Sequence, residues 1–228
     1  DRKPLVSKVH QRRMKGAPKP YLWVPAFPGL LRNVLPIEKY AAGHGLLNLT
    51  PEIDGIVRRV PAFFRLGKKL YPTLAVESMR VYSGRRGIIT KGTQSGISDV
   101  IISKKLKVPT DKNGRMWPYF SRSDKSKYIS AVDVLNGVAD PNKIKGKIAL
   151  VGTSAAGLLD IKTVPTERFI PGVEIHAQLI ESVVHKLFLS RPNFSDALEM
   201  SLALFGGILI IILVPWIGAK WSLLAFLF

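Results

Sequence analysis

The chain has 228 residues, 46% of them hydrophobic, with 34 Lys/Arg against 16 Asp/Glu for a formal net charge of +18. That length fits one ordinary domain with a small addition, and the apolar content excludes global disorder. With no cysteine there is no disulfide framework, no thiolate metal site and no cysteine nucleophile.

Residues 1–20 carry seven Lys/Arg and one Asp, show no hydrophobic period and read as loop. A bound polyanion, nucleic acid or lipid surface would suit such charge. The basic residues, however, are spread along the chain without interleaved aromatics, which favours a solvated basic surface. The Pro-punctuated stretch YLWVPAFPGLLRNVLP reads as packed irregular structure or a short helix. GLLNLTPEIDGIVRRVPAFFRL reads as a hairpin with strands near Gly45–Leu49 and Ile56–Phe64 and a turn at Pro51 and Asp54-Gly55. In PTLAVESMRVYSG, Leu74, Ala75, Ser78, Met79 and Tyr82 share a helical face, and Gly84 ends the helix. SDVIISKKLKVPTDKNGRMWPYF predicts two strands around the turn Asp111-Lys112-Asn113-Gly114. Ser130-Ala-Val-Asp133 predicts a capping box that starts a short helix ending at Gly137. Ile148–Val151 predicts a short strand. VEIHAQLIESVVHKLF, led in by Pro171-Gly172, predicts an amphipathic helix with Ile175, Leu179, Val183 and Leu187 on its apolar face. The whole is an α/β domain, a mixed sheet with flanking helices, followed by C-terminal transmembrane helices.

From Met200 to Ala219 no residue is charged. Those twenty residues span about 30 Å as a helix, the depth of the hydrocarbon core. Trp216 and Trp221 suit an interface, and Pro215, Gly218 and Lys220 suggest a tight turn into a second apolar run. Lys220 in that short turn favours a cytoplasmic turn, which places residues 1–195 outside the cytoplasm and disfavours nucleic acid as a partner. The chain opens at Asp1 and stops at Phe228 inside an apolar run, so both ends are expected to continue.

The stretch KIALVGTSAAGLLD offers three chemistries. Gly152 and Gly157 have the spacing of a phosphate loop, but Leu158 and Leu159 stand where Lys and Ser/Thr are required. A strand-to-turn anion site at a helix N-terminus remains a weaker option. Gly152-Thr-Ser154-Ala-Ala156 approaches a nucleophile elbow, with Asp160 and His176 following in order. Asp160 lies six residues past the serine, where the elbow's own helix belongs, so tight backbone packing is favoured over a membrane-anchored hydrolase using Ser154. Metal binding is weaker still. Glu174 and His176, two apart on a helix, point to different faces, so hydrogen-bonded structural roles are favoured for Asp160, Glu174 and His176, and no metal or other cofactor is expected. Asn48-Leu-Thr50 fits a glycosylation sequon.

GKIALVGTSAAGLLDIKTVPTERFIPGVEIHAQLIESVVHKLFLSRP resembles the end of the CHASE domain of the second type, a cyclase- and histidine-kinase-associated sensory extracellular domain. The matching positions are Val151, Gly152, Thr153, Gly157, Asp160, Pro165, Pro171 to Ala177 and Arg191-Pro192. Upstream, Gly45, Asn48, Asp54, Gly55, Arg58 or Arg59 and Pro61 fit the family's G-x-x-N…D-G-x-x-R-x-x-P segment, YPTLAVE its P-S-L-A segment and ISAVDVL its S-A-x-x-x-L segment. The resemblance covers about residues 25–195. It implies a bacterial receptor in the plasma membrane with an extracytoplasmic sensor at 1–195, a membrane helix at 197–219 and the start of another at 221–228. It further implies an unknown extracytoplasmic ligand, a homodimer in the full-length receptor, and a cytoplasmic output beyond Phe228. Family habit favours a class III adenylate or guanylate cyclase over a histidine or Ser/Thr kinase. No cyclase or kinase motif lies in the chain itself. The family's N-terminal membrane helix and acidic strand-end motif are not seen, so the chain resembles the C-terminal two-thirds of the module. The polar residues singled out as a ligand-binding or structural cluster are Asp54, Arg58, Gly152, Thr153, Asp160, Glu174 and His176.

Overall fold

A computed structural model describes residues 8–153, 160–191 and 194–217. The chain divides into two units, Asp1–Ser190 and Arg191–Phe228. The first is α/β. Strands β1 (Lys8–Arg13), β5 (Gly87–Thr93), β6 (Gly96–Ile101) and β7 (Lys107–Pro109) form a four-stranded mixed sheet in the order β1-β5-β6-β7. β1 runs parallel to β5, and the other pairs are antiparallel. Among the described residues there are also three two-stranded ribbons. They pair β2 (Val60–Pro61) with β8 (Arg115–Met116), β3 (Phe63–Leu66) with β4 (Lys69–Pro72), and β9 (Ile161–Val164) with β10 (Glu167–Pro171). The helices are α1 (Leu35–Tyr40), α2 (Leu74–Tyr82), α3 (Ala131–Leu135) and α4 (Gly172–Val184).

The core forms where the period-2 strands and the 3.6-period helices turn their apolar positions to one another. Ile88, Ile97 and Val100 from the sheet, Phe63 and Met116 from the ribbons, Met79 from α2 and Ile175, Leu179 and Val183 from α4 are all at most 1% exposed. Each such side chain contributes about 1.5–3 kcal/mol by leaving water. The predicted apolar face of α4 is therefore the buried one, except that Leu187 lies past the helix end and is half exposed. On α2, Ala75, Val76 and Met79 are buried while Tyr82 is exposed.

Several sequence expectations are corrected. The basic N-terminal stretch contains a strand, β1, at the sheet edge. Its residues alternate only between exposed and half-buried, so no apolar period marks it, and its cations blunt the edge. The 45–64 hairpin does not form. The turn is present, with Gly55 at φ 78° and its N–H donating to Glu52 O at 2.9 Å. The flanking segments instead bond elsewhere: Leu46 N–H to Pro72 O at 2.9 Å and Val57 N–H to Thr163 O at 2.8 Å. The Asp111–Gly114 turn also forms, with Asn113 N–H donating to Asp111 Oδ1 at 3.0 Å, but it leads from β7 to β8, which pairs with β2. Ser130 precedes α3, and Gly137 at φ 70° follows it, yet no side-chain cap bond closes the box. Ile148–Val151 forms no strand, and Val151 is exposed.

The second unit contains α5 (Ser195–Ile217), which continues through Pro215 instead of turning there. Its span Ser195–Leu213 is long and apolar enough to cross a membrane. Arg191 reaches Asp196 at 3.0 Å and Glu199 at 2.7 Å beside its first turns. Lys220, Trp221 and the expected second helix lie outside the described residues.

Candidate functional site

A hydrogen-bonded polar seam runs along α4 in the first unit. Glu174, Gln178 and Ser182 recur every four residues and are all buried on one helix face. Residues 119–123 lie against this stripe as an unpaired extended segment, and its alternate backbone amides are satisfied by side chains. Tyr119 N–H donates to Ser182 Oγ at 3.0 Å, Ser121 N–H to Gln178 Oε1 at 3.1 Å, and Ser123 N–H to Glu167 Oε2 at 3.0 Å. The fit is geometric. Four residues of helix advance about 6 Å and two residues of extended chain about 6.6 Å, so Ser182, Gln178 and Glu174 meet in turn Tyr119, Ser121 and, through its Oγ, Ser123.

Polarity in the seam is directional. Gln178 Nε2 donates to Ser121 O at 3.2 Å and to Glu174 Oε1 at 2.9 Å, while its Oε1 accepts from Ser121. Ser123 Oγ donates to Glu174 Oε2 at 2.9 Å, and Tyr128 OH donates to the same oxygen. Burial first, then the Glu174 carboxylate, push the Tyr128 phenol up to about 12. Lys127 Nζ reaches Glu181 Oε1 at 2.8 Å on the exposed side.

The other face of α4 carries His176, 2% exposed. Its Nε2 faces Leu47 O at 3.3 Å, so the neutral ring carries its proton there. Nδ1 is buried with no partner among the described residues. Burial is the leading cause that lowers the His176 pKa, opposed by the Leu47 carbonyl and by Asp160. Asp160 lies at the N-terminal end of α4. Gly172 N–H donates to its carbonyl at 2.8 Å, and a Cβ on Gly172 would run into its carboxylate. A carboxylate there is favoured by the helix dipole. Gly152 packs against the same turn, where a Cβ would meet Val173 Cβ at 2.5 Å. Thr153 is exposed beside it.

Asp160, His176 and Gly152 therefore gather at the start of α4, while Glu174 faces away from them into the 119–128 seam. Asp54 and Arg58 stand apart from both as a half-exposed surface pair at 2.7 Å. The inward arginine of that segment is Arg59. It pairs with Glu52 at 2.6 Å and Asp111 at 3.1 Å, and its guanidinium sits 5.0 Å from the Trp117 ring centroid. Sequence reasoning missed Arg59 in favour of its neighbour and missed Ser123, Tyr128 and Gln178. The spacing of Glu174, Gln178 and Ser182 at four-residue intervals was the available signal. Also unforeseen is the buried pair of Arg80 and Glu77 at 2.8 Å, in which Arg80 further donates to Ala42 O at 3.1 Å.

Cavities among the described residues of the first unit include two of ligand size. One of about 400 Å³ lies between the Ala42–Gly45 loop, α2 and Ile148. The other, of about 330 Å³, lies over β1, β5 and β6. None of the polar residues singled out from sequence lines either cavity. Among the described residues no group of three His, Asp or Glu is placed to hold a metal. Ser154 lies outside the described residues, and the buried His176 ring, committed to Leu47, is not presented to a substrate.

Comparison with curated proteins and with solved structures gives no match. The profile of the CHASE2 domain matches residues 4–215. The chain thus belongs to the CHASE2 domain family, sensory extracellular domains found in signalling receptors.

Proposed function

We propose that residues 1–190 sense a stimulus outside the cytoplasm and that α5 crosses the plasma membrane to a class III adenylate or guanylate cyclase as output. Family membership supports the sensory role. The observation that carries the coupling is that α4, docked into the core by Ile175, Leu179 and Val183, is followed by α5 after a ten-residue connection, Val184 to Ser195. A stimulus acts on such a device only through its differential affinity for two arrangements of the docked helix. The polar seam is suited to have two arrangements, because hydrogen bonds between a helix and an extended segment can be exchanged for bonds to water at small net cost. A homodimeric receptor fits this scheme, in which two copies pass the movement inward together.

The test is nucleotide output from the full-length receptor carrying Gln178→Ala or Ser182→Ala. These substitutions loosen the seam and leave the apolar docking residues in place. The expected result is altered output with unchanged membrane insertion. Unaltered output in both variants would remove α4 from the signalling path.

A further inference from the structure

We propose that the groove over β1, β5 and β6 binds a small organic anion, a carboxylate or phosphate head on an apolar body. The cavity of about 330 Å³ has an apolar floor and a cationic rim. His10, Ile89 and Ile101 are register partners across the three strands and form one row on the sheet face turned away from the core. On this otherwise polar face, Ile89 and Ile101 are half-buried. The opposite face carries the core residues Ile88 and Val100, both 0% exposed, and Ile102, 2% exposed, is the lining residue at which the groove meets the core.

The rim consists of Arg85, Arg86 and Lys104, with His10 at the end of the row. Among the described residues none of these four is in an ion pair; Arg32, Arg58, Arg59, Arg80, Arg115 and Arg191 are in ion pairs, while Arg12, Arg13, Arg65, Arg122 and Arg168 are not but do not line this cleft. The acid on the same face, Asp99, is occupied by Lys107 at 3.2 Å and by Ser98 Oγ at 3.0 Å. Three exposed cations thus line one cleft, and among the described residues no carboxylate pairs with them. An arginine guanidinium suits a carboxylate or phosphate, and the isoleucines of the lining suit the aliphatic or aromatic part attached to it. The volume is at the small end of ligand pockets. Arg85 and Arg86 follow the C-terminus of α2, where cations are also favoured by the helix dipole, so a purely structural role makes a different prediction for stability.

The binding site stands on this geometry alone; that its ligand is the stimulus rests on the sensory reading above. The experiment titrates hexyl phosphate and inorganic phosphate into the whole chain in phosphatidylcholine nanodiscs, by calorimetry. Hexyl phosphate is expected to saturate and to bind more tightly than inorganic phosphate. The R85A/R86A double variant is expected to lose at least tenfold in affinity with an unchanged melting temperature. The K143A/K145A variant removes the same charge from an exposed segment and is expected to bind as the unaltered chain does. Equal loss in both double variants, or no saturable binding, overturns the proposal, because either leaves only the bulk charge of +18. A fall in melting temperature for R85A/R86A without loss of affinity overturns it in favour of helix capping. Competition by phosphatidylglycerol in the nanodisc assigns the anion to a lipid headgroup, and its absence to a soluble compound. Failure to bind leaves the cyclase output of the receptor, and so the sensory reading, to be judged separately.

Discussion

Glu174→Gln is the substitution for which the structure makes its sharpest prediction. The change keeps the shape of the side chain but replaces an acceptor with a donor. Glu174 accepts from Ser123 and Tyr128 at Oε2 and from Gln178 at Oε1. A glutamine can turn its carbonyl to Ser123 and Tyr128, but its amide then faces the amide of Gln178. Gln178 cannot turn in response, since Ser121 holds both of its ends, donating to Oε1 at 3.1 Å and accepting from Nε2 at 3.2 Å. The two facing N–H donors, of Gln178 and of the new glutamine, are left without an acceptor, at about 1–3 kcal/mol for the buried pair, and two remaining bonds lose their charge assistance, at roughly 0.5–1.5 kcal/mol each. The losses overlap within one network, so about 3 kcal/mol is the expected total, or roughly 5–12 °C in melting temperature for a domain of this size. The assay is thermal unfolding of the chain in detergent, followed by near-ultraviolet absorbance. The same variant should bring the Tyr128 phenol down from about 12 towards its ordinary value of 10.0, read by alkaline titration of tyrosinate absorbance. Destabilisation under about 1 kcal/mol with Tyr128 unmoved would refute the directional seam.

Three further outcomes follow from other parts of the fold. Gly45→Ala would place a Cβ 2.5 Å from the Leu74 backbone Cα, which has no flexible end to give way. A loss of about 2–4 kcal/mol is expected, and chemical denaturation showing under about 1 kcal/mol would contradict this approach. Arg59→Ala should cost about 2–3 kcal/mol by leaving Glu52 and Asp111 short of a partner and uncovering Trp117, whereas Arg58→Ala, at a solvent-exposed pair, should leave the denaturant midpoint unchanged. Equal effects in denaturant midpoints would mean that the inward and outward arginines are misassigned. Acid should act first through His176, whose folded pKa lies below the unfolded value of 6.5. Between those two values the unfolded chain binds the additional proton, so stability is full above pH 6.5 and falls as pH drops towards the folded value. Below the ordinary carboxylate value of 4.5, Glu52, held low by Arg59, adds a second loss of the same sign. A stability profile flat from about pH 7 to 5, or one unaltered in His176→Phe, would exclude His176 as the first step.

Local signals survived into the structure better than pairings did. Gly55, Gly84, Gly114 and Gly137 all adopt positive φ at the predicted turns and helix ends, because that conformation depends on the residue itself. α4 was legible from Ile175, Leu179 and Val183 for the same local reason. Strand pairing was not legible, since it depends on which distant edge is free. The 56–64 segment bonds to Thr163 and to β8 rather than to its neighbour across the turn. β1 was invisible because an edge strand whose one apolar residue, Val9, stands among Lys, His, Gln and Arg carries no apolar alternation. At the site, Asp160, Gly152 and His176 do share the start of α4. The partners of Glu174 come from residues 119–128, whose placement is fixed by helix-to-strand spacing and not by any motif of its own. Arg58 and Arg59 could not be told apart from sequence, as only the fold decides which one turns inward.

The central claim is that the folded unit stands outside the cytoplasm on a membrane anchor. Residues 1–228 contain no cysteine, so a single Lys143→Cys substitution at an exposed position adds one thiol to this part, and the unsubstituted receptor serves as the blank for any thiol elsewhere. Intact cells expressing the full-length receptor are treated with a membrane-impermeant maleimide. The account predicts that the introduced thiol is labelled to the same level in intact and lysed cells; labelling that appears only after lysis would contradict it.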